Sequence, residues 1–218
     1  MDTVRADFDR IARFDTPEWD HNRHYHPFLL RTLAPHLGEA LEIGCGQGDF
    51  ARLLADRSDH VLAIDLSPEM VRRAHEKSAQ YSNIHYQVAD VMDWEWSTNR
   101  FDCIASIATL HHLPLEEMLI RMKHALKPGG KLLVLDLFQQ EQPTFRDIWA
   151  IVVSKTFQLV RNRRLRESAE VRTAWEAHGS HDHYLLLSQV REICAKHLPN
   201  ASVKQHLLWR YSIIWEKP

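Results

Sequence analysis

The segment Ala40-Leu41-Glu42-Ile43-Gly44-Cys45-Gly46-Gln47-Gly48-Asp49-Phe50 constrains this chain more than any other, because a short apolar strand runs straight into three alternating glycines and then into a helical pattern. Glycine is needed where the backbone must take positive φ or let a ligand approach with no Cβ in the way, and the carboxyl ends of parallel strands are where open α/β sheets bind nucleotide-like cofactors. A glycine costs about 1 kcal/mol inside regular structure, so three so close together need a reason. The bland alternative is a strand-to-helix turn that binds nothing.

The acids around the turn bear on which cofactor it suits. A dinucleotide-binding turn reads G-x-G-x-x-G and rests its pyrophosphate on a helix N-terminus, where nearby carboxylates work against it. Here the spacing is G-x-G-x-G, Glu42 stands two residues ahead of Gly44, and Asp49 follows Gly48. An acidic edge of this kind suits a ligand that is positive at that end, such as one carrying a sulfonium and an ammonium group. At these residues the sequence resembles the class I S-adenosylmethionine-dependent methyltransferases, whose first motif reads [DE]-x-G-x-G-x-G.

Downstream pieces follow in the order such a fold requires. Val61-Leu62-Ala63-Ile64-Asp65 reads as a second buried strand ending in an acid, where doubly wound folds place the carboxylate that holds ribose hydroxyls; a plain strand-end turn is the alternative for Asp65. Ser67-Pro68-Glu69 supplies an N-cap, a first-turn proline and an acid complementing the dipole, opening a helix from Glu69 to Ala79. Ile84 to Asp90 is a third strand. The resemblance puts Asp90 on the adenine amino group and Val91 against the ring, whereas Asp90 could instead cap the turn before Asp93.

Phe101 to Ile107 reads as the fourth strand, with Asp102 structural, and Ser106-Ile107-Ala108-Thr109-Leu110-His111-His112-Leu113 resembles the family's loop over the methionine part of the cofactor. Leu115, Met118, Leu119, Met122, Ala125 and Leu126 fall on one helical face, a core stripe that Lys127-Pro128-Gly129-Gly130 stops. Lys131 to Phe138 is a nearly continuous apolar run broken by Asp136, as in a parallel strand covered on both faces, and L-K-P-G-G-K-L-L-V-L-D resembles the family's third motif. The resemblance therefore implies S-adenosyl-L-methionine as cofactor, with contacts from Glu42, Gly44, Cys45, Gly46, Gly48, Asp65, Leu66, Asp90, Val91 and Ile107.

Composition agrees. A chain of 218 residues suffices for one domain with a sizeable core. A formal charge of -2 gives no wholesale attraction to nucleic acid or an anionic membrane, so neither is an expected partner. Cys45, Cys103 and Cys194 are widely spaced with no C-x-x-C, which points to reduced thiols and a cytoplasmic setting. No signal-like N-terminus, long apolar span, repeat or low-complexity tract is apparent.

The expected architecture is an α/β, doubly wound, Rossmann-like sheet of seven mostly parallel strands. Within one methyltransferase domain, 1–36 form an N-terminal helical wall, 37–138 the cofactor-binding core, 139–184 an inserted helical cover, and 185–218 a closing helix and strand pair. The helix is read over Leu187 to Leu198 and the antiparallel strands over Ser202 to Trp209 and Arg210 to Trp215. Inserts longer than about 15 residues are uncommon unless functional or separately structured, so Gln139 to Tyr184 is the expected substrate cover. Phe145, Ile148, Trp149, Val152 and Val153 suggest one helical face there, with a second helix over Lys155 to Trp175. Asp15 to Leu30, with Trp19, His21, His24, Tyr25 and His26, is the opposite wall. Trp19, Tyr25, Trp149, His181 and Tyr184 are the candidate acceptor contacts.

Arg161, Arg163, Arg164 and Arg166 could hold an anionic group, though such a run is commonly a solvated helix face. The chain has Ser106-Ile107-Ala108-Thr109 where nucleobase amino-methyltransferases carry N/D-P-P-Y/F, and no Pro-Cys nucleophile, so a small-molecule acceptor is favoured over nucleic acid. His178, His181 and His183 invite a metal, but no cysteine or acid cluster completes a familiar pattern, and no metal is expected. Methyl transfer needs alignment of nucleophile, carbon and sulfur, and an acceptor hydroxyl or ammonium must also lose a proton. Histidine, with an unperturbed pKa of about 6.5, is the natural base; His111 is the first candidate, then His112, His24 and Tyr25.

The reading is a methyltransferase acting at oxygen or nitrogen of a small acceptor, as a monomer or homodimer. The alternatives are a nicotinamide-dependent oxidoreductase, a methyltransferase of protein or RNA, or a regulatory protein that binds the cofactor without turning it over.

Overall fold

A computed structural model of the protein describes residues 2–14, 20–140, 154–156, 159, 169–179 and 184–218. The expectations for Trp19, for Phe145, Ile148, Trp149, Val152 and Val153, for Arg161 to Arg166, and for His181 and His183 lie outside the described residues.

Seven strands form one sheet in the order β3-β2-β1-β4-β5-β7-β6. β1 (Leu37–Ile43) lies between β2 (Ser58–Asp65) and β4 (Phe101–Ile107), parallel to both, with β3 (Ile84–Val88) outside β2. β5 (Leu126–Leu137) continues the parallel set, and β7 (Arg210–Glu216) and β6 (Ser202–Gln205) close it antiparallel. The expected doubly wound, mostly parallel sheet of seven strands is therefore the observed one.

Two cores cover the sheet, one on each face. Along β5 the period of two sends Leu133 and Leu135 into one cluster and Leu132 and Val134 into the other. The first cluster is closed by α2 (His26–Leu30), α3 (Asp49–Ala55) and α4 (Pro68–Lys77) through Leu29, Phe50, Leu54, Val71 and Ala74. The second is closed by α5 (Leu115–Ala125) and the closing helix through Met118, Leu119, Met122, Val190 and Cys194. These methionines are core, as their spacing indicates.

Several boundaries move for local reasons. α4 starts at Pro68 because Ser67 Oγ accepts from Met70 N at 3.0 Å, the cap read from sequence; the same hydroxyl donates to Asp9 Oδ1 at 2.5 Å and ties α4 to α1 (Asp2–Ile11). α5 ends at Ala125, and the Lys127-Pro128-Gly129-Gly130 stretch already belongs to β5, where Gly129 N donates to Lys217 O at 2.7 Å and Lys217 N to Gly130 O at 2.9 Å. The strand expected to reach Trp209 stops at Gln205, since Leu208 and Trp209 turn the chain at φ 63° and 55°.

In the cover region, 154–156 are helical and α6 (Ala169–Gly179) lies against α1, where Phe8, Ile11, Met70 and Ala174 share a small apolar cluster. α7 (Leu187–His197) is the closing helix. No described helix is long and apolar enough to cross a membrane.

Candidate active site

The glycine turn sits at the carboxyl edge of β1. Gly44 N and Cys45 N both donate to Ile64 O, at 2.8 and 3.0 Å, and Gly46 N donates to Asp65 Oδ2 at 2.8 Å, so the end of β2 shapes the turn. All three glycines have positive φ, but for different reasons. A Cβ on Gly44 would fall 2.1 Å from Thr109 Oγ1, and one on Gly48 2.3 Å from Tyr86 Oη, so these two make room for protein side chains. Only at Gly46 would a Cβ meet nothing within 4 Å. That is the one glycine of the three whose outer side is open for a ligand, a narrower role than the sequence motif suggests.

The acids divide in the same way. Asp49 is neutralised, with Oδ2 2.6 Å from Arg23 Nη2 and Oδ1 2.5 Å from Arg52 Nη2, so it does not give the crevice the free negative edge read from sequence. Glu42 does. It is 2% exposed, its Oε2 is buried with no hydrogen-bond partner, and burial first, then the Asp49 and Asp65 charges, push its carboxyl well above the usual range. A buried acid with an unmet oxygen fits a cationic or hydrogen-bond-donating ligand group, whose arrival favours the ionised form, and offers no donor to a pyrophosphate.

Asp65 accepts from Gly46 N and, at 2.9 Å, from Ser67 N, holding together the two turns where nucleotide would lie. Cys45 and Val91 are buried, and Leu66 and Ile107 half-buried, around that edge. Asp90 accepts from Met92 N at 2.9 Å through Oδ1 and from Asp93 N at 3.1 Å through its carbonyl. The turn-capping role weighed for it from sequence is thus present.

Beyond β4 the chain bends sharply. Ala108 takes φ 52°, unusual without glycine and costing about 1 kcal/mol, and its N–H donates to Leu135 O at 2.7 Å. The bend seats Thr109 on Gly44 and brings the 3-10 turn Leu110–His112 against the end of β5. There His111 Nδ1 lies 2.6 Å from Asp136 Oδ1, and His111 N donates to Asp136 Oδ2 at 2.9 Å. Asp136 is fully buried. It was visible in the sequence only as the break in an apolar strand; its partner could not be read.

Tyr184 and His112 flank His111, with ring centroids 5.2 and 3.9 Å away. His112 meets His178 of α6 at 4.9 Å, and Phe8 of α1 lies edge-on to both. His178, missed as a member of this wall, has Nδ1 3.6 Å from Asp7 Oδ2.

The other two base candidates sit differently. His24 is exposed, edge-on to Tyr25, and Tyr25 is buried with its hydroxyl donating to Leu207 O at 2.8 Å, bracing the turn before β7. Beside them Arg210 is buried, donating to Asn22 Oδ1 at 2.8 Å and Leu208 O at 3.0 Å. His21 and His26, both with pKa lowered to about 4 chiefly by burial, complete the N-terminal wall. A separate cavity of about 340 Å³, lined by Glu39, His60, Asn83, His85 and Arg100 among others, opens at the starts of β1 to β3, the edge remote from this chemistry.

A methyltransferase-domain family model matches residues 40–130, the span that carries the glycine turn and most of the parallel sheet. The chain is 29% identical over 205 residues to an uncharacterized methyltransferase of Mycobacterium tuberculosis, covering 92% of this chain and 98% of that one. It is 27% identical over 143 residues to a ubiquinone biosynthesis O-methyltransferase of Xylella fastidiosa, covering 60% and 58%. The fold is shared with the N-methyltransferase NodS from Bradyrhizobium japonicum, solved with S-adenosyl-L-homocysteine: TM-score 0.68, 20% identity, 99% of this chain and 98% of that one.

The chain is an enzyme of the methyltransferase kind, with the fold of methyltransferases that depend on S-adenosyl-L-methionine. The open side of Gly46 and the unmet oxygen of Glu42 fit that group, and Asp65 holds the turn through Gly46 N.

Proposed function

We propose that this enzyme methylates oxygen or nitrogen of a small-molecule acceptor, with His111, oriented by Asp136, taking the acceptor's proton. When bound, S-adenosylmethionine supplies a methyl group made electrophilic by its sulfonium. The chain's own task is then to hold the acceptor in line, keep water out and receive one proton.

The observation that carries the reading is the His111–Asp136 pair at the carboxyl edge of the sheet, one turn beyond the residue that touches Gly44. With its Nδ1–H given to a buried carboxylate, His111 keeps Nε2 as the acceptor atom, and the carboxylate stabilises the imidazolium as the proton arrives. Tyr184 and the Phe8 side of α1 wall the space around it. Glu42, Gly44, Cys45, Gly46, Gly48, Asp65, Leu66, Asp90, Val91 and Ile107 are proposed as the cofactor contacts. His112 is the second candidate base, and Trp19, Tyr25, Trp149, His181 and Tyr184 are the proposed acceptor wall. Relatives named for oxygen and for nitrogen methylation support both acceptor atoms. A cytoplasmic setting and a monomer or homodimer remain part of the proposal.

Tritium transfer from labelled cofactor into fractionated cell extract tests it. Label in the small-molecule fraction, lost with His111→Asn while S-adenosylhomocysteine still stabilises the protein to heat, is the expected result. Label in protein or RNA instead would replace the acceptor class, and undiminished turnover by His111→Asn would remove that residue from the mechanism.

A further inference from the structure

The sequence draws attention to a histidine run beginning at His178, but the fold assembles a different set. His111, His112 and His178 each present a ring nitrogen, and the three atoms all lie within 4.8 Å of one another. They come from the turn after β4 and from α6, so only folding brings them together. We propose that these three imidazoles form a binding site for a divalent transition-metal ion of the zinc type.

Imidazole nitrogens bind zinc at about 2.0–2.1 Å, which in a tetrahedron sets them about 3.3 Å apart. Closing from at most 4.8 Å to that spacing asks for side-chain rotation, not for a change of fold. The surroundings are those of a metal centre. Metal-binding histidines commonly give their other ring nitrogen to a carboxylate, which fixes the tautomer and raises the ligand's basicity. His111 does this with Asp136 at 2.6 Å, and His178 has Nδ1 3.6 Å from Asp7 Oδ2. Both carboxylates are buried, so the wall holds two acids behind three rings that are neutral when they bind metal. Phe8 stands edge-on to His112 and His178, with centroids 5.8 and 4.6 Å away, and limits water at their backs.

The inference rests on the cluster alone and not on the acceptor reading. Ion and transferred proton would compete for the same His111 lone pair, so metal loading and base action exclude one another.

The test uses the full, tag-free chain stripped with EDTA and titrated with CoCl2. One equivalent should produce the visible absorption of four-coordinate cobalt, and ZnCl2 should displace it. His178→Gln and His112→Gln should each weaken binding at least tenfold, and Asp7→Asn about tenfold. His36→Gln, on an exposed histidine beside Asp59, should leave binding unchanged. Far-ultraviolet circular dichroism and stabilisation by S-adenosylhomocysteine check that each variant is folded. No cobalt uptake, uptake that survives both His178→Gln and His112→Gln, or equal loss with His36→Gln would overturn the site. Metal binding as expected alongside failed tritium transfer would leave the site standing and remove only the acceptor reading.

Discussion

The glycine turn and the histidine wall meet where Thr109 covers Gly44, yet they are built in opposite ways. The turn is local. Its glycines, its acid and its cap lie within one strand-turn-helix unit, and its hydrogen bonds run mainly between backbone groups of β1 and β2. The wall is assembled from distant pieces: His111 finds Asp136, His178 finds Asp7, Tyr25 finds Leu207, and Arg210 finds Asn22. Backbone shape dictated by a short motif makes a cofactor site that many enzymes can share. Side chains gathered from separate elements make a wall particular to one chain, where the proposed acceptor would meet it.

The contrast can be broken most directly on the wall. His111→Asn should lower turnover by about 10²- to 10⁴-fold, the usual contribution of a positioned base, while changing the dissociation constant for S-adenosylhomocysteine less than twofold. Steady-state kinetics beside calorimetric titration separates the two. A comparable loss of cofactor binding would show that wall and turn are not independent.

On the turn, Gly44→Ala and Gly46→Ala should part company. The first drives a Cβ to 2.1 Å from Thr109 Oγ1 in addition to adopting positive φ, and should cost about 3 kcal/mol of stability in urea unfolding. The second carries only the backbone strain of about 1–2 kcal/mol but places its methyl on the open ligand side, so its larger effect should be on cofactor affinity. Equal losses of stability and affinity in both variants would erase the distinction drawn between these glycines.

The N-terminal wall makes stability depend on pH. Burial holds His21 and His26 neutral down to about pH 4, whereas their ordinary value is 6.5, so the unfolded chain takes up protons first as pH falls. Their contribution is complete above about pH 6.5 and is lost between there and pH 4, by about 2 kcal/mol or more for the pair. Urea midpoints from pH 7 to pH 4.5 measure it, and His26→Gln should flatten the decline. An unchanged slope would mean that this wall is open to water.

Smaller is the effect of Glu42→Gln. Its carboxyl is pushed up by burial, so the charge costs stability as pH rises past the ordinary value of 4.5, and removing it should stabilise the ligand-free protein by about 1 kcal/mol at pH 7. The same change should weaken S-adenosylmethionine binding by about tenfold, the weight of a charge-assisted hydrogen bond. Thermal shift with and without ligand reads both signs. Tighter binding in the variant would place the cationic group elsewhere.

Legibility followed this division. Phe101–Ile107 is the strand its apolar run indicates, Ser67 caps its helix, and Asp65 ends β2 beside the turn, because each depends on residues within a few positions. Reading failed where a distant partner changes a group's meaning. Asp49 looks like a free acid until Arg23 lies against it, and the strand read over Ser202 to Trp209 looks continuous until Leu207, tied to Tyr25, precedes two residues at positive φ. Asp136 looks like a flaw in a strand until the bend at Ala108 lays His111 over it.

By itself the sequence determined the order of strands and helices and the glycine turn at the end of β1, since periodicity and backbone conformation are set by near neighbours. Only the tertiary structure decided which charges are cancelled, which histidine is backed by a carboxylate, and that His111, His112 and His178 converge. Electrostatic and coordination chemistry depend on distance in space, and the chain fixes those distances only once its two cores have closed on the sheet.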